Sequence, residues 1–298
     1  MSDSWTQWYV HDFPDRALRL LLEEGENLHA LIELADPSLA ASVDARNIVG
    51  IPRSHLDDRH RERRSDLWHR MFRPRRRSML AHTEHQSTAD GWIPFRMLHA
   101  MVSVWEDERR RTGEPLPPVL PLLLYTGRRP WRVPPAVPAG ETLSVTVPIR
   151  VLDLKRIDRD TLRASDHPMA AALLALRDDH ETLPRFRRTL VEAARRIDGI
   201  PAGQPGRWRQ YMRFLYGVVF QRRPAAEHRG LLRALESTIN PIRREEATRM
   251  KGKGGLKITG SVRDVMRESA QTAVSLVRLR AADLGVDDAV FGASDIHI

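Results

Sequence analysis

The stretch SDLWHRMF (65–72), RPRRRS (73–78) and MLAHTEHQS (79–87) decides the fold of the central region. The first and third segments combine apolar and β-prone residues and predict two strands. The basic segment between them contains Pro74 and predicts a turn. Together the three segments predict a β-hairpin.

The second strand of this hairpin carries polar side chains with the period of a β-strand. Residues two apart on a strand share a face, so Glu84 and Gln86 project together and His82 joins them. The hairpin is expected to bring Asp66 close to Glu84. Two ionised carboxylates repel each other unless a cation lies between them, and Mg²⁺ needs only one or two carboxylates besides water and phosphate oxygens. The pair predicts an open magnesium site; an acid paired with one of the many arginines is the alternative.

Helices and strands alternate on both sides of the hairpin, which predicts an α/β (α+β) core with a mixed sheet. Residues 14–34 predict a helix broken near Gly25, and residues 94–110 predict an amphipathic helix that begins at Pro94. The apolar positions of the second helix are Phe95, Leu98, Met101, Val102 and Trp105. The strand candidates are 46–51, the apolar run 117–127, which suits a strand buried on both faces, and 145–154.

The character of the sequence changes after residue 160, where helical patterns dominate. We therefore predict two regions, a mixed α/β domain over 1–160 and a mostly helical C-terminal region over 161–298. The helical segments are two within 166–197, one each at 207–223 and 225–239, and a last one at 261–285 after a flexible basic break at 249–261.

The charge of the chain favours a polyanionic partner. The net charge is +9 and the excess is mostly arginine, whose planar fork matches phosphate. An arginine-rich surface without a ligand is the alternative. The chain has no cysteine, which excludes disulfides and thiol nucleophiles. We expect a cytoplasmic protein without a signal peptide or membrane span.

Four segments resemble a known family in their order along the chain. They are His11–Asp12, RSDLWHR (64–70), TEHQSTADGWIPFRMLHAMVSVWE (83–106) and LPPVLPLLLYTGRRPW (116–131). This series resembles the recombination-promoting nuclease family, also called the YhgA-like transposases. The resemblance covers roughly residues 11–160, with a looser similarity in the helical tail.

The resemblance implies a restriction-endonuclease-like fold of the PD-(D/E)XK type. It implies that Asp66 and Glu84 bind Mg²⁺ or another divalent cation, and that Gln86 stands where most relatives of the fold have lysine. DNA is the implied substrate, with a link to mobile elements or recombination. Pro14 and the pair His82–Thr83 depart from the family pattern.

Several other residues are candidates for roles at this site. Gln86 cannot act as a general base because an amide has no titratable acceptor, so we expect it to orient the attacking water. Arg96 contacts the scissile phosphate or pairs with Asp90. Tyr125 is expected in the core. The predicted DNA contacts, for which plain solvation is the alternative, are Arg73, Arg75, Arg76, Arg77, Arg96, Arg128 and Arg129.

The sequence thus predicts a magnesium-dependent DNA endonuclease of low sequence specificity, because arginines would hold the backbone without reading bases. The alternative is a catalytically weak nucleic-acid-binding or transposition-accessory protein. A structural helical interaction protein is a third hypothesis, and the ordered motifs argue against it. Homo-oligomerisation is left open.

Overall fold

The computed structural model describes residues 13–51, 67–113, 115–137, 144–241, 243, 256–257 and 296–297. Asp15–Arg177 is one compact unit, and the described residues before Asp15 and after Arg177 form another. The domain division predicted at residue 160 stays a prediction. No helix in these described ranges is both long and apolar enough to cross a membrane.

The first unit contains a mixed five-stranded sheet, which confirms the predicted α+β class. The strands of this unit are β1 (Ile48–Gly50), β2 (Leu67–Met71), β3 (Met79–Gln86), β4 (Val119–Tyr125), a small pair β5 (Ala136–Val137) and β6 (Val145–Thr146), and β7 (Arg150–Asp153). The strand order in the five-stranded sheet is β1-β2-β3-β4-β7, with β1, β2 and β3 antiparallel and β3, β4 and β7 parallel. The helices are α1 (Asp15–Leu22), α2 (Gly25–Ala35), α3 (Pro37–Ala40), α4 (Ile93–Thr112), α5 (Arg159–Ala164) and α6 (Pro168–Arg177).

The predicted hairpin and the predicted helix break are both confirmed. Strands β2 and β3 pair from Leu67↔Thr83 to Met71↔Met79, and the turn between them includes Arg75 in the left-handed region, at φ 58°. The break lies between Leu22 and Gly25, which is the first residue of α2. A Cβ at this position would lie 2.5 Å from the carbonyl oxygen of Ile48, so only glycine lets the helix approach β1 this closely.

Strand β3 is buried on both faces because helices cover the sheet on both sides. Its even-numbered residues lie on the side of α4, where Leu80 packs with Met97 and Leu123. Its odd-numbered residues lie on the side of α1, where His85 contacts Asp15. We call these two sides the α4 face and the α1 face. Alternation along one strand therefore places neighbouring polar residues in different environments.

Helix α4 begins with Pro94 in its first turn and ends at Gly113, whose φ of 66° provides a left-handed cap. The predicted helix is confirmed, but its predicted apolar side is wrong in part, because Phe95 and Val102 are 46% and 44% exposed. Apolar residues surround most of this helix, so periodicity alone could not select the buried side. The residues that pack on the sheet are Ile93, Met97, Ala100, Met101 and Val104.

Strand β4 lies between β3 and β7, and its leucines are fully buried, which confirms the strand predicted to be covered on both faces. Each fully buried leucine contributes about 1.5–3 kcal/mol. The single strand predicted at 145–154 is instead two short strands, β6 and β7. Pro148 lies between them and cannot donate to a sheet ladder.

The second unit is helical in its described part. Its helices are α7 (Leu183–Asp198), α8 (Pro205–Arg222) and α9 (Ala225–Thr238), followed by a short parallel pair, β8 (Leu256–Lys257) and β9 (Ile296–His297). Aromatic side chains fill its core, including Phe186, Trp208 and Tyr211. The helices predicted within 166–239 are confirmed. The helix predicted at 261–285, and the break at 249–261 apart from β8, lie outside the described residues.

Candidate active site

The central residue of the candidate site is Glu84, near the end of β3 on the α4 face. Only 3% of it is exposed. Its Oε1 accepts hydrogen bonds from Arg96 Nη2 and, at 3.2 Å, from Gln86 Nε2. The second contact confirms that Glu84 and Gln86 project from one face. A buried carboxylate is costly unless it is paired, and the arginine offsets that cost here.

Arg96 joins Glu84 to a second carboxylate in the loop before α4. Its Nη1 lies 3.0 Å from Asp90 Oδ2, and its side chain is 27% exposed. Asp90 also accepts the backbone N–H of Trp92 at 2.9 Å, which fixes the first turn of α4. The guanidinium therefore bridges two carboxylates. Its pairing with Asp90 was one of the two alternatives for this residue, and its contact with Glu84 was not predicted.

The carboxyl ends of β3, β4 and β7 lie side by side at one end of the sheet, next to Glu84. Parallel pairing places Gln86 next to Tyr125 and Tyr125 next to Asp153, all on the α4 face. The carboxyl ends of parallel strands are a common position for ligand sites in α/β sheets. Burial raises the pKa of Tyr125, and the charge of Asp153 raises it further. Tyr125 is in the core, as predicted, and packs against Trp131 at 5.1 Å between ring centroids.

Asp153 is a buried acid that the sequence analysis missed. It accepts the backbone N–H of Trp131 and of Lys155, each at 2.9 Å, and pairs with Arg156 at 3.4 Å. These bonds hold the segment that follows Tyr125. An open cavity of about 370 Å³ lies beside Asp153. The sequence pattern that could have indicated Asp153 is a carboxylate within the apolar run VLDL (151–154). The same kind of pattern indicated Glu84.

Asp66 lies outside the described residues, so its predicted place beside Glu84 stays a prediction. The following residue, Leu67, pairs with Thr83, the residue before Glu84. The described residues contain no group of three His, Asp or Glu side chains that could hold a metal ion. Glu84 and the amide of Gln86 nevertheless provide oxygen donors, which suit a hard cation that keeps several waters.

The two histidines of β3 lie on opposite faces of the strand, which does not suit a shared zinc site. His82 stacks on Trp68 with 4.5 Å between ring centroids and 12° between planes, on the α4 face. His85 lies on the α1 face, where its Nδ1 is 2.7 Å from Asp15 and its Nε2 is 2.8 Å from Thr126 Oγ1. These two histidines therefore face opposite sides of the sheet and do not share one site. Three acids near the break between α1 and α2 are exposed: Glu23, Glu24 and Glu26.

The arginines of the hairpin turn differ in their contacts. Arg73 donates to the carbonyl of Arg77, and Arg77 donates to that of Pro115. Arg75 and Arg76 are exposed, and their side chains form no ion pair with a described residue. The turn is about 20 Å along β3 from Glu84, since a strand rises about 3.3 Å per residue. Arg128 and Arg129 are exposed just beyond the end of β4.

Sequence comparison identifies the family. The sequence model described as "Putative transposase, YhgA-like" matches residues 12–197, which is more than half of the chain. The chain belongs to this family. The YhgA-like match includes Glu84, Gln86, Asp90 and Arg96, and confirms the resemblance found in the sequence motifs. No solved structure matches the chain.

A second similarity follows the YhgA-like region. Residues 239–298 match the family described as "Lon protease (S16) C-terminal proteolytic domain". Lon protease of Aquifex aeolicus is 53% identical over 53 residues, which are 18% of this chain and 7% of that protein. Lon protease of Desulfovibrio desulfuricans is 58% identical over 53 residues, which are 18% and 6%. Lon protease 4 of Sorangium cellulosum is 37% identical over 118 residues, which are 38% and 14%.

The chain thus spans only about 6–14% of the length of these three proteases. The residue pattern did not indicate this similarity, because a basic glycine-rich segment followed by a helical pattern is not specific to a protease domain. Most of residues 239–298 lie outside the described residues.

Proposed function

We propose that this protein is a metal-dependent DNA endonuclease of low sequence specificity that acts in transposition or recombination. The observation that carries the proposal is the cluster of the buried Glu84 with the partly buried Gln86 and Arg96 at the carboxyl end of β3. The mixed sheet is consistent with a restriction-endonuclease-like core. A buried acid that bonds to an amide and a cation beside three strand ends is a costly arrangement for structure alone.

The proposed chemistry assigns a role to each member of the cluster. Asp66 and Glu84 would hold Mg²⁺, which lowers the pKa of bound water and offsets negative charge on the phosphate. Gln86 would orient the attacking water through its amide, because it cannot accept the proton. Arg96 keeps the buried charge of Glu84 compensated, and Asp90 holds the guanidinium in place.

The exposed arginines support low sequence specificity. Arg75 and Arg76 on the turn, and Arg128 and Arg129 after β4, would contact phosphates along the DNA backbone. Such contacts position a duplex but carry no sequence information. The turn and Glu84 are separated by about 20 Å along the strand, a length comparable to about six base pairs.

The second candidate is a DNA-binding accessory protein with weak or no catalysis. A specific observation favours it, because Oε1 of Glu84 already accepts from Arg96 and Gln86. An arginine at this position can replace a metal ion in compensating the carboxylate. The exposed arginines would then bind DNA while the cluster only stabilises the fold.

Nicking of supercoiled plasmid separates the two candidates. The proteins to compare are the wild type, Asp66→Ala, Glu84→Ala, Gln86→Ala and Gln86→Lys, each with magnesium and with chelator. The nuclease proposal expects magnesium-dependent nicking by the wild type and none by either acid variant. Gln86→Ala should be milder, because it removes an orienting group and leaves the acids. Nicking by Gln86→Lys would indicate that this position shares the role of the usual lysine.

Binding of the same plasmid in chelator is the control for these variants. Loss of Asp66 or Glu84 removes negative charge, so metal-free binding should stay the same or become tighter. Absence of nicking by the wild type, or nicking that survives both acid substitutions, would contradict the nuclease proposal and favour the accessory protein. The proposal concerns Asp15–Arg177; the Lon-like segment carries no functional proposal.

A further inference from the structure

Helix α4 exposes a row of rings on the side away from the sheet. Trp92 is 56% exposed and Phe95 is 46% exposed. Their ring centroids are 6.2 Å apart at 82°, and Phe95 lies 6.4 Å from the ring of His99. Spacings of three and four residues place these side chains in one line along the helix. We call Trp92, Phe95 and His99 the aromatic stripe.

Packing of α4 on the sheet does not require the aromatic stripe. The buried side of the helix is complete without it, since Ile93, Met97 and Val104 fill the contact with Leu80 and Leu123. A single exposed apolar side chain is common on protein surfaces. Two large rings in edge contact and a third beside them form a continuous patch, which is typical of a binding surface.

The aromatic stripe is connected to the candidate site through Asp90. One oxygen of Asp90 accepts the backbone N–H of Trp92 at 2.9 Å, and the other pairs with Arg96 at 3.0 Å. Arg96 in turn bonds to Glu84. Phe95 and Arg96 are consecutive residues. A ligand on the stripe would therefore contact the same first turns of α4 that carry Arg96.

We propose that the aromatic stripe stacks unpaired bases of single-stranded DNA next to the cleaved phosphate. The inference rests on the proposed nuclease function and narrows its substrate class to DNA with unpaired nucleotides. Every base has a π-face, so stacking on Trp92 and Phe95 is independent of sequence. The net charge of +9 and the exposed arginines attract the phosphates of such a strand.

The choice of rings argues for bases over a second copy of this chain. A protein interface is stabilised by buried apolar area, so leucine would weaken it only in part, whereas base stacking needs a flat π-surface. Replacing both large rings by leucine therefore separates the two occupants. Trp92→Leu/Phe95→Leu keeps an apolar surface and removes the rings, and Trp92→Phe/Phe95→Tyr keeps both rings.

The experiment measures binding of fluorescent oligodeoxythymidine and of a duplex of equal length by anisotropy, in chelator. Stacking contributes about 1–3 kcal/mol per base, so the double leucine variant should bind the single strand at least about 10-fold more weakly. Duplex binding should change far less, and the ring-preserving variant should bind both DNAs like the wild type. Val49→Ala, at another exposed apolar position on β1, is the control and should change neither affinity.

Equal losses for single strand and duplex, or no loss for either, would overturn the inference. Concentration-dependent association of the wild type in sedimentation, weakened in the double leucine variant, would also overturn it, because the stripe would then be an interface between copies. The measurement needs no cleavage. A protein that binds single strands through these rings but fails to nick plasmid would refute the nuclease proposal and leave the stacking surface established.

Discussion

The two faces of strand β3 carry different polar clusters although their residues alternate along one strand. On the α4 face, Glu84 bonds to Arg96 and Gln86 beside the exposed aromatic stripe. On the α1 face, His85 lies between Asp15 and Thr126. Each cluster contains a buried ionisable side chain with a partner that can carry the opposite charge: Arg96 for Glu84, and Asp15 for His85. Among the described residues, only the α4 face combines it with an amide, a second carboxylate and exposed rings on the adjoining helix, so burial of a charged residue alone does not identify a site.

The largest expected difference between the faces is in DNA cleavage. Glu84→Gln and Asp15→Asn each replace a carboxylate by an amide of nearly equal size. The proposal expects magnesium-dependent plasmid nicking to fall to background in the first variant, because a metal ligand is lost. Nicking should persist in the second variant, whose substitution lies on the α1 face. Equal behaviour of the two variants would remove the functional distinction between the faces.

The next effect concerns stability. Arg96→Met leaves the buried Glu84 without its cation and should destabilise the protein by roughly 2–4 kcal/mol, somewhat below a fully buried pair because Arg96 is partly exposed. Asp15→Asn should cost less than about 1 kcal/mol, since Asp15 is half exposed. Urea-induced unfolding measures both.

The double variant Arg96→Met/Glu84→Gln tests the origin of that loss. If the cost arises from an uncompensated charge, removal of the charge should recover much of the stability. Additive losses in the double variant would mean that Arg96 stabilises α4 by packing and that its contact with Glu84 contributes little.

A third prediction concerns the hairpin turn, which lies at the other end of β3 from Glu84. Arg75→Ala/Arg76→Ala should shallow the dependence of log affinity on log salt by about 2, because each arginine contacts one phosphate in the proposal. Arg77 should contribute less, since its guanidinium donates to Pro115. Arg229→Ala/Arg233→Ala, two exposed arginines of α9, is the matched charge control. An equal change in salt dependence for that control would mean that the turn contributes only through its net charge.

The smallest expected effect is a pH dependence that arises on the α1 face. His69 lies across from Ala81, and its Nε2 is 3.3 Å from the carbonyl of Glu23. Burial lowers the pKa of His69 below its ordinary 6.5, while the bond to Glu23 opposes this shift. Between the two pKa values the unfolded chain binds more protons, so His69 contributes stability above pH 6.5 that is lost as the pH falls. In urea unfolding at several pH values, His69→Gln should flatten this loss relative to wild type; an identical slope would contradict the prediction.

Local patterns predicted most elements of the first unit. The turn residues between two β-prone segments predicted the hairpin, and Pro94 predicted the start of α4. The identity of the buried side of α4 was not available from the pattern, because Phe95 and Met97 are both apolar and only the sheet selects one. Pro148 could have signalled the split of the strand predicted at 145–154.

Only part of the candidate site could be predicted from the sequence. Strand alternation placed Glu84 with Gln86, since that geometry depends on neighbours in the chain. The contact of Arg96 with Glu84, and the burial of Asp153 beside Tyr125, depend on the crossover through α4 and on the parallel order β3-β4-β7. No local pattern specifies which distant segments become neighbours in a sheet.

The sequence by itself determined the family, the hairpin, the shared face of Glu84 and Gln86, and the excess of arginine. Each of these depends on residue type and on spacing within a short stretch of chain. The tertiary structure alone decided that Arg96 pairs with Glu84, that Asp15 pairs with His85, and that the rings of α4 face outward. These features depend on which surfaces become buried when helices pack on both sides of the sheet. Burial of a surface is set by contacts between distant segments, which form only in the folded chain.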